Sequence, residues 1–157
     1  MLLARVEAQT FFGIRHGLET LFQLMGYDEL RGQYIINKKV EITDQPQFRH
    51  RGVSVDTARN FIPIQTLKNV IDGMAFSKLN VFHWHITDTQ SFPIQLDKYP
   101  STTGKLVEYG AYGPAKIYSK LQVKDLITYA TKRGDDIRDI IYRVYLIWRS
   151  FFGFATK

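Results

Sequence analysis

Gly52-Val53-Ser54-Val55-Asp56, Ile64 to Ser77 and Val81-Phe82-His83-Trp84-His85-Ile86 follow one another with different hydrophobic periods, and that succession decides the fold. The first stretch is a short strand ending on a carboxylate. Phe61 and Ile62 lead into Pro63, which suits a first helical turn because its ring presets the backbone and its missing N–H is not needed there. Leu67, Val70, Ile71, Met74 and Ala75 then recur three and four residues apart, as on one face of a helix. Lys78-Leu79-Asn80 turns the chain into the second strand, and the helix between is long enough for a parallel crossover. The fold class is therefore α/β.

Outward from this unit the patterns are shorter. Gly13 to Met25 reads as a helix with Leu18, Leu21, Phe22 and Met25 on one face, stopped at Gly26. Tyr34 to Ile36 and Lys39 to Ile42 read as two strands about an Asn37-Lys38 turn. The polar run Thr43-Asp44-Gln45-Pro46-Gln47 is the best boundary. Ser91 to Gly113 reads as a long loop, rich in proline and glycine, of the kind that carries ligand contacts at strand ends. Ser119 precedes Gln122 by three residues, a capping box, and Val123, Leu126, Ile127 and Ala130 form the inner stripe of the helix that follows. Ile137 to Phe152 again has a helical period, headed by Asp135-Asp136.

Composition narrows the function classes. The formal net charge of +6 is spread along the chain, with no basic run, finger spacing or phosphate loop, so nucleic acid is not an expected partner. There is no cysteine, which excludes disulfides and thiolate metal sites. No apolar stretch is long enough for a membrane span, and the first ten residues do not form a signal peptide. A signal peptide, if the parent protein is exported, is expected upstream of this chain or is missing.

His83-Trp84-His85-Ile86-Thr87-Asp88 is the densest polar cluster. Alternation in a strand puts His83 and His85 on one face and Trp84 on the other. Three readings stay open from chemistry alone: a metal site, a sugar pocket with Trp84 stacking, or buried histidines satisfied by neighbours around a core tryptophan. In the second cluster, Arg51 to Arg59, a guanidinium fork can bind hydroxyls. A structural salt bridge between Asp56 and one arginine is the plainer account.

His50-Arg51-Gly52, Asp56-Thr57 with Arg59 and Phe61, and the unbroken run Met74 to Pro93 resemble the start of the catalytic barrel in glycoside hydrolase family 20, in the form of animal and especially insect β-N-acetylhexosaminidases. His16 to Leu24 resembles the end of that family's small non-catalytic domain. Gly110 to Gly113, Ile117 to Ser119, and Tyr129-Ala130 with Arg133-Gly134 resemble its later loop and second barrel helix. The resemblance implies a partial (β/α)8 TIM barrel, its first two β/α units over residues 48–134, after a remnant of an α/β domain at 1–47. Residues 135–157 hold nothing that the resemblance leads one to expect and are read as a divergent helical tail, as in a truncated or faulty gene product.

What the resemblance implies for chemistry is specific. Arg51 would bind sugar hydroxyls; His85 and Asp88 would support the pocket wall, with all three converging at the carboxyl ends of the strands. Asp56 and Arg59 would hold the first strand and its loop. No metal and no cofactor are implied. The partners would be glycans ending in N-acetylglucosamine or N-acetylgalactosamine, or chitin oligomers, with the parent enzyme a homodimer that is secreted, lysosomal or membrane-associated. The family mechanism is substrate-assisted: the 2-acetamido oxygen attacks the anomeric carbon while an adjacent Asp-Glu pair orients the acetamide and protonates the leaving group. Neither Asp28-Glu29 nor Asp135-Asp136 stands in the right context for that pair, so catalysis is not expected of this chain.

Overall fold

The computed structural model describes residues 4–36, 40–88, 91–95 and 112–133. The chain divides into two compact units between Arg49 and His50. The expected tail helix at 137–152 lies outside the described residues, as does most of the 91–113 loop.

In the first unit, α1 (Phe11–Gln23) starts where Thr10 accepts a hydrogen bond from the Gly13 N–H at 3.1 Å, satisfying one of the donors that a helix start leaves open. A hairpin follows, β1 (Gly26–Asp28) antiparallel to β2 (Gln33–Ile35). This corrects the expected pairing about Asn37-Lys38: β2 pairs backward, and residues 40–42 form no strand. The turn explains the choice. The Asp28 carboxylate accepts from the Leu30 and Arg31 N–H groups, and Gly32 takes the positive φ of 62° that reverses the chain. Leu18 and Phe22 on α1 remain exposed.

The second unit is the strand, helix and strand read from the sequence. β3 (Gly52–Asp56) and β4 (Val81–His85) pair in parallel, from Gly52 opposite Val81 to Asp56 opposite His85. The crossover is α2 (Ile64–Phe76), with Pro63 one residue before the helix as its N-cap. Leu67, Ile71 and Met74 of α2 pack on Phe82, Trp84 and Ile86, and burial of such side chains is the main favourable term in folding. α3 (Lys120–Thr131) carries the complete Ser119–Gln122 capping box and adds Leu126 and Ala130 to the core. On the rim of the helix pair, Asp72 receives hydrogen bonds from Tyr129 and Arg133, and Lys68 pairs with Asp125 at 2.6 Å.

Gly52 is dictated by the strand pairing. A Cβ there would stand 2.4 Å from the Val81 carbonyl oxygen, closer than any real contact. The described residues form this two-stranded parallel sheet and no closed barrel. None of their helices is long and apolar enough to cross a membrane.

Candidate functional site

Parallel strands in register bring their last residues side by side. Asp56 ends β3 directly opposite His85, which ends β4. Each strand is followed within three residues by an oppositely charged or hydrogen-bonding partner: Arg59 after Asp56, and Asp88 after His85. The Asp56 carboxylate caps its own loop, accepting from the Ala58 N–H at 3.0 Å and the Arg59 N–H at 3.2 Å. Its second oxygen accepts from the Arg59 Nε at 2.7 Å. The Asp88 carboxylate lies 3.4 Å from the His85 Nε2 and 3.6 Å from the Arg59 Nε. The result is one charged cluster at the carboxyl ends of the strands, with Arg59 the most exposed side chain in it, at 52%.

Burial raises the Asp56 pKa, and the hydrogen bonds and charge of Arg59 outweigh that effect, with a smaller contribution from His85. The carboxyl is held below its ordinary value and stays ionised. Arg59 is thereby fixed by a charge-assisted pair through its Nε and its Nη2, while the side chain as a whole stays half exposed.

Arg51 is elsewhere. It precedes β3, at the amino ends of the strands. Its backbone N–H donates to the Asn80 side chain at 2.9 Å, its carbonyl accepts from the Asn80 and Val81 N–H groups, and its Nε donates to the Lys78 carbonyl at 3.1 Å. The expected convergence of Arg51 with His85 and Asp88 is therefore corrected, because a strand of five residues separates them, about 16 Å of extended chain.

For the tryptophan, the structure bears out the core reading among the three left open. Trp84 is buried in the core, and its indole Nε1 donates to the Thr57 hydroxyl at 2.6 Å, so its face is not offered to a sugar. His83 shares a strand face with His85 but hydrogen-bonds to Ser54 at 3.2 Å, two residue pairs back from the cluster. Among the described residues no group of three or more His, Asp or Glu side chains is placed so that it could hold a metal ion.

Two contributors, Thr57 and Tyr118, stand in stretches that carry the family resemblance, but the sequence reading gives neither a part in the site. Thr57 is fully buried beneath the cluster, and Tyr118 grips the same loop from 56 residues away. Nothing local in the sequence marks either contact.

A parallel β/α unit with its polar groups gathered at the carboxyl strand ends is the arrangement on which β/α-barrel enzymes build active sites. The sequence agrees with one such family: residues 48–140 match glycosyl hydrolase family 20, catalytic domain, and the chain belongs to that family. It is 47% identical over 131 residues to a chitooligosaccharidolytic β-N-acetylglucosaminidase of Bombyx mori, covering 83% of this chain and 21% of that protein. The structure is similar to a chitobiase of Flavobacterium johnsoniae, with a TM-score of 0.65 and 34% identity over 78% of this chain and 17% of that one. It is also similar to an exo-β-N-acetylglucosaminidase of Vibrio harveyi in complex with N-acetylglucosamine, with a TM-score of 0.62 and 31% identity over 80% of this chain and 21% of that one. The chain thus spans about a fifth of the length of the curated relatives it matches.

Proposed function

We propose that this chain supplies the first two β/α units of a β-N-acetylhexosaminidase barrel, and that its part in the reaction is to hold the terminal N-acetylhexosamine. The observation that carries this reading is the Asp56–Arg59–Asp88–His85 cluster at the carboxyl strand ends. Arg59, not Arg51, is the sugar contact. A guanidinium fork braced by a carboxylate presents fixed donors to vicinal hydroxyls, and such charged hydrogen bonds contribute about 1.5–3 kcal/mol each. His85 and Asp88 hold Arg59 from the other strand. Arg51 locks the amino ends of the strand pair. The first 47 residues are the remnant of the small α/β domain.

Hydrolysis by the family route needs the adjacent Asp-Glu pair that orients the acetamide and protonates the leaving oxygen. The sequence contains one adjacent Asp-Glu, Asp28-Glu29, in the hairpin of the first unit. The chain by itself is accordingly a sugar-holding part of the enzyme without turnover. Loss of a general acid costs about two to four orders of magnitude in rate.

Two assays on the purified chain test this. Calorimetric titration with the N-acetylglucosamine trimer should give heat that saturates, and a chromogenic N-acetylglucosaminide should show no turnover. Absence of binding removes the sugar-holding role and leaves an interaction fragment. Turnover at the rate of a full-length family enzyme removes the claim of inactivity.

A further inference from the structure

The loop that carries Arg59, residues 57–62, has no regular structure, yet it is gripped on two sides. From within, the Thr57 and Ala58 N–H groups donate to the His85 carbonyl at 2.9 and 3.2 Å, and Thr57 takes the Trp84 indole N–H. From the other side comes the segment 112–118. The Tyr118 hydroxyl donates to the Ile62 carbonyl at 2.6 Å and accepts from the Ile62 N–H at 3.1 Å. One side chain thereby satisfies both backbone groups of a loop residue, as a neighbouring strand would. Its ring stacks on Phe61 at 4.8 Å and meets Trp84 edge-on at 5.0 Å. Tyr112 donates to the Asn60 side chain at 3.0 Å, and the Lys116 ammonium lies over the Phe61 ring. Asn60, Phe61 and Ile62 are thus each held by the segment, immediately after Arg59.

Tyr118 is itself anchored. Its N–H donates to the Pro93 carbonyl at 2.7 Å and its carbonyl accepts from the Gln95 N–H at 2.9 Å. The residue is buried, and burial pushes its phenol above the ordinary value against the lowering effect of its hydrogen bonds to Ile62 and Thr57, so the hydroxyl keeps the proton it donates.

We propose that residues 112–118 are a strap that positions Arg59 for the sugar, with Tyr118 its positioning residue. The proposal rests on the sugar-holding reading of Arg59 given above. Ordering of this loop before the ligand arrives removes an entropic cost of binding. Tyr118 touches no sugar; it acts through the backbone between Ile62 and Arg59.

The test uses the full 157-residue chain and has two arms. In amide hydrogen exchange, Tyr118→Phe should speed exchange at Ala58 and Arg59, whose N–H groups donate to Asp56, by about tenfold, while the amides between β3 and β4 keep their rates. Equal acceleration in loop and ladder, or none in the loop, overturns the strap. If Tyr118→Phe does not fold, the more exposed Tyr112→Phe replaces it. It should speed the Arg59 amide by about twofold to threefold, and an unchanged rate overturns the proposal.

In the second arm, magnetic resonance titration with the N-acetylglucosamine trimer reads affinities into the millimolar range. Tyr118→Phe should weaken binding by about fivefold in the chain with Arg59, and cause no further loss in an Arg59→Ala chain, since coupled residues are not additive. An equal loss in both backgrounds shows a general structural effect and overturns the positioning role. If the unaltered chain takes up no trimer, the sugar-holding reading fails, and the exchange arm still decides whether the strap orders the loop.

Discussion

Arg51 and Arg59 stand eight residues apart at opposite ends of one strand, and the structure gives them opposite surroundings. At the amino end, Arg51 is absorbed by backbone. Its amide, carbonyl and guanidinium all bond to residues 78–81, and they tie the start of β3 to the start of β4. At the carboxyl end, Arg59 is held by the carboxylates of Asp56 and Asp88, through its Nε and, toward Asp56, its Nη2 as well, and the side chain keeps half of its surface exposed. The lesson is that residue type does not reveal whether an arginine serves the fold or a ligand. Strand direction supplies the argument proposed above, because in a parallel sheet the two ends differ: crossovers close one, and loops that can meet a ligand open from the other.

The largest expected effect breaks the amino end. Gly52→Val would drive a branched side chain into the Val81 carbonyl, where even a single Cβ has no room. The strand pair should separate, and circular dichroism should show loss of cooperative thermal unfolding. A native-like transition would mean that this close approach does not govern the pairing.

Arg51→Ala sharpens the contrast with a smaller effect. It leaves the Lys78 carbonyl without its guanidinium donor while the backbone bonds of residue 51 can persist. The loss should be about 1–3 kcal/mol by urea denaturation. A loss below a few tenths would show that the guanidinium does not lock this end.

The smallest effect is a pH dependence at the carboxyl end. The Asp56 pKa in the folded chain lies below its ordinary value of 3.8. A depressed carboxylate adds stability that is fully present above the unfolded value and is lost as pH falls through the folded one. The loop should therefore hold at neutral pH and loosen only below about pH 3.8, and Asp56→Asn should flatten that acid limb. An unchanged limb in Asp56→Asn would assign it to other carboxylates.

Much of this was legible in the sequence. Spacing alone located β3, α2 and β4 and the Ser119 capping box, because a change of period and a cap are local signals. The hairpin was misplaced. The Asp28 turn and Gly32 decide its pairing, whereas a three-residue strand has too little alternation to show which neighbour it will join. In the site, the run from His83 to Asp88 marked the right strand end, but it could not tell which side chains face the core. Trp84 turned inward to Thr57. Motif position favours Arg51, and only the register of β3 on β4 separates it from the cluster. Tyr118 was invisible, since its contact to Ile62 spans 56 residues and leaves no periodic trace.

The difference between the two arginines is tested most directly by sugar titration of two variants side by side. The N-acetylglucosamine trimer is titrated into Arg59→Ala and Arg51→Ala, each shown by circular dichroism to be folded at the working temperature. Arg59→Ala should lose at least about tenfold in affinity with little change in stability, the loss of one charged hydrogen bond. Arg51→Ala should be less stable but bind the trimer as the unaltered chain does. Weakened binding in Arg51→Ala with full affinity in Arg59→Ala would contradict the account.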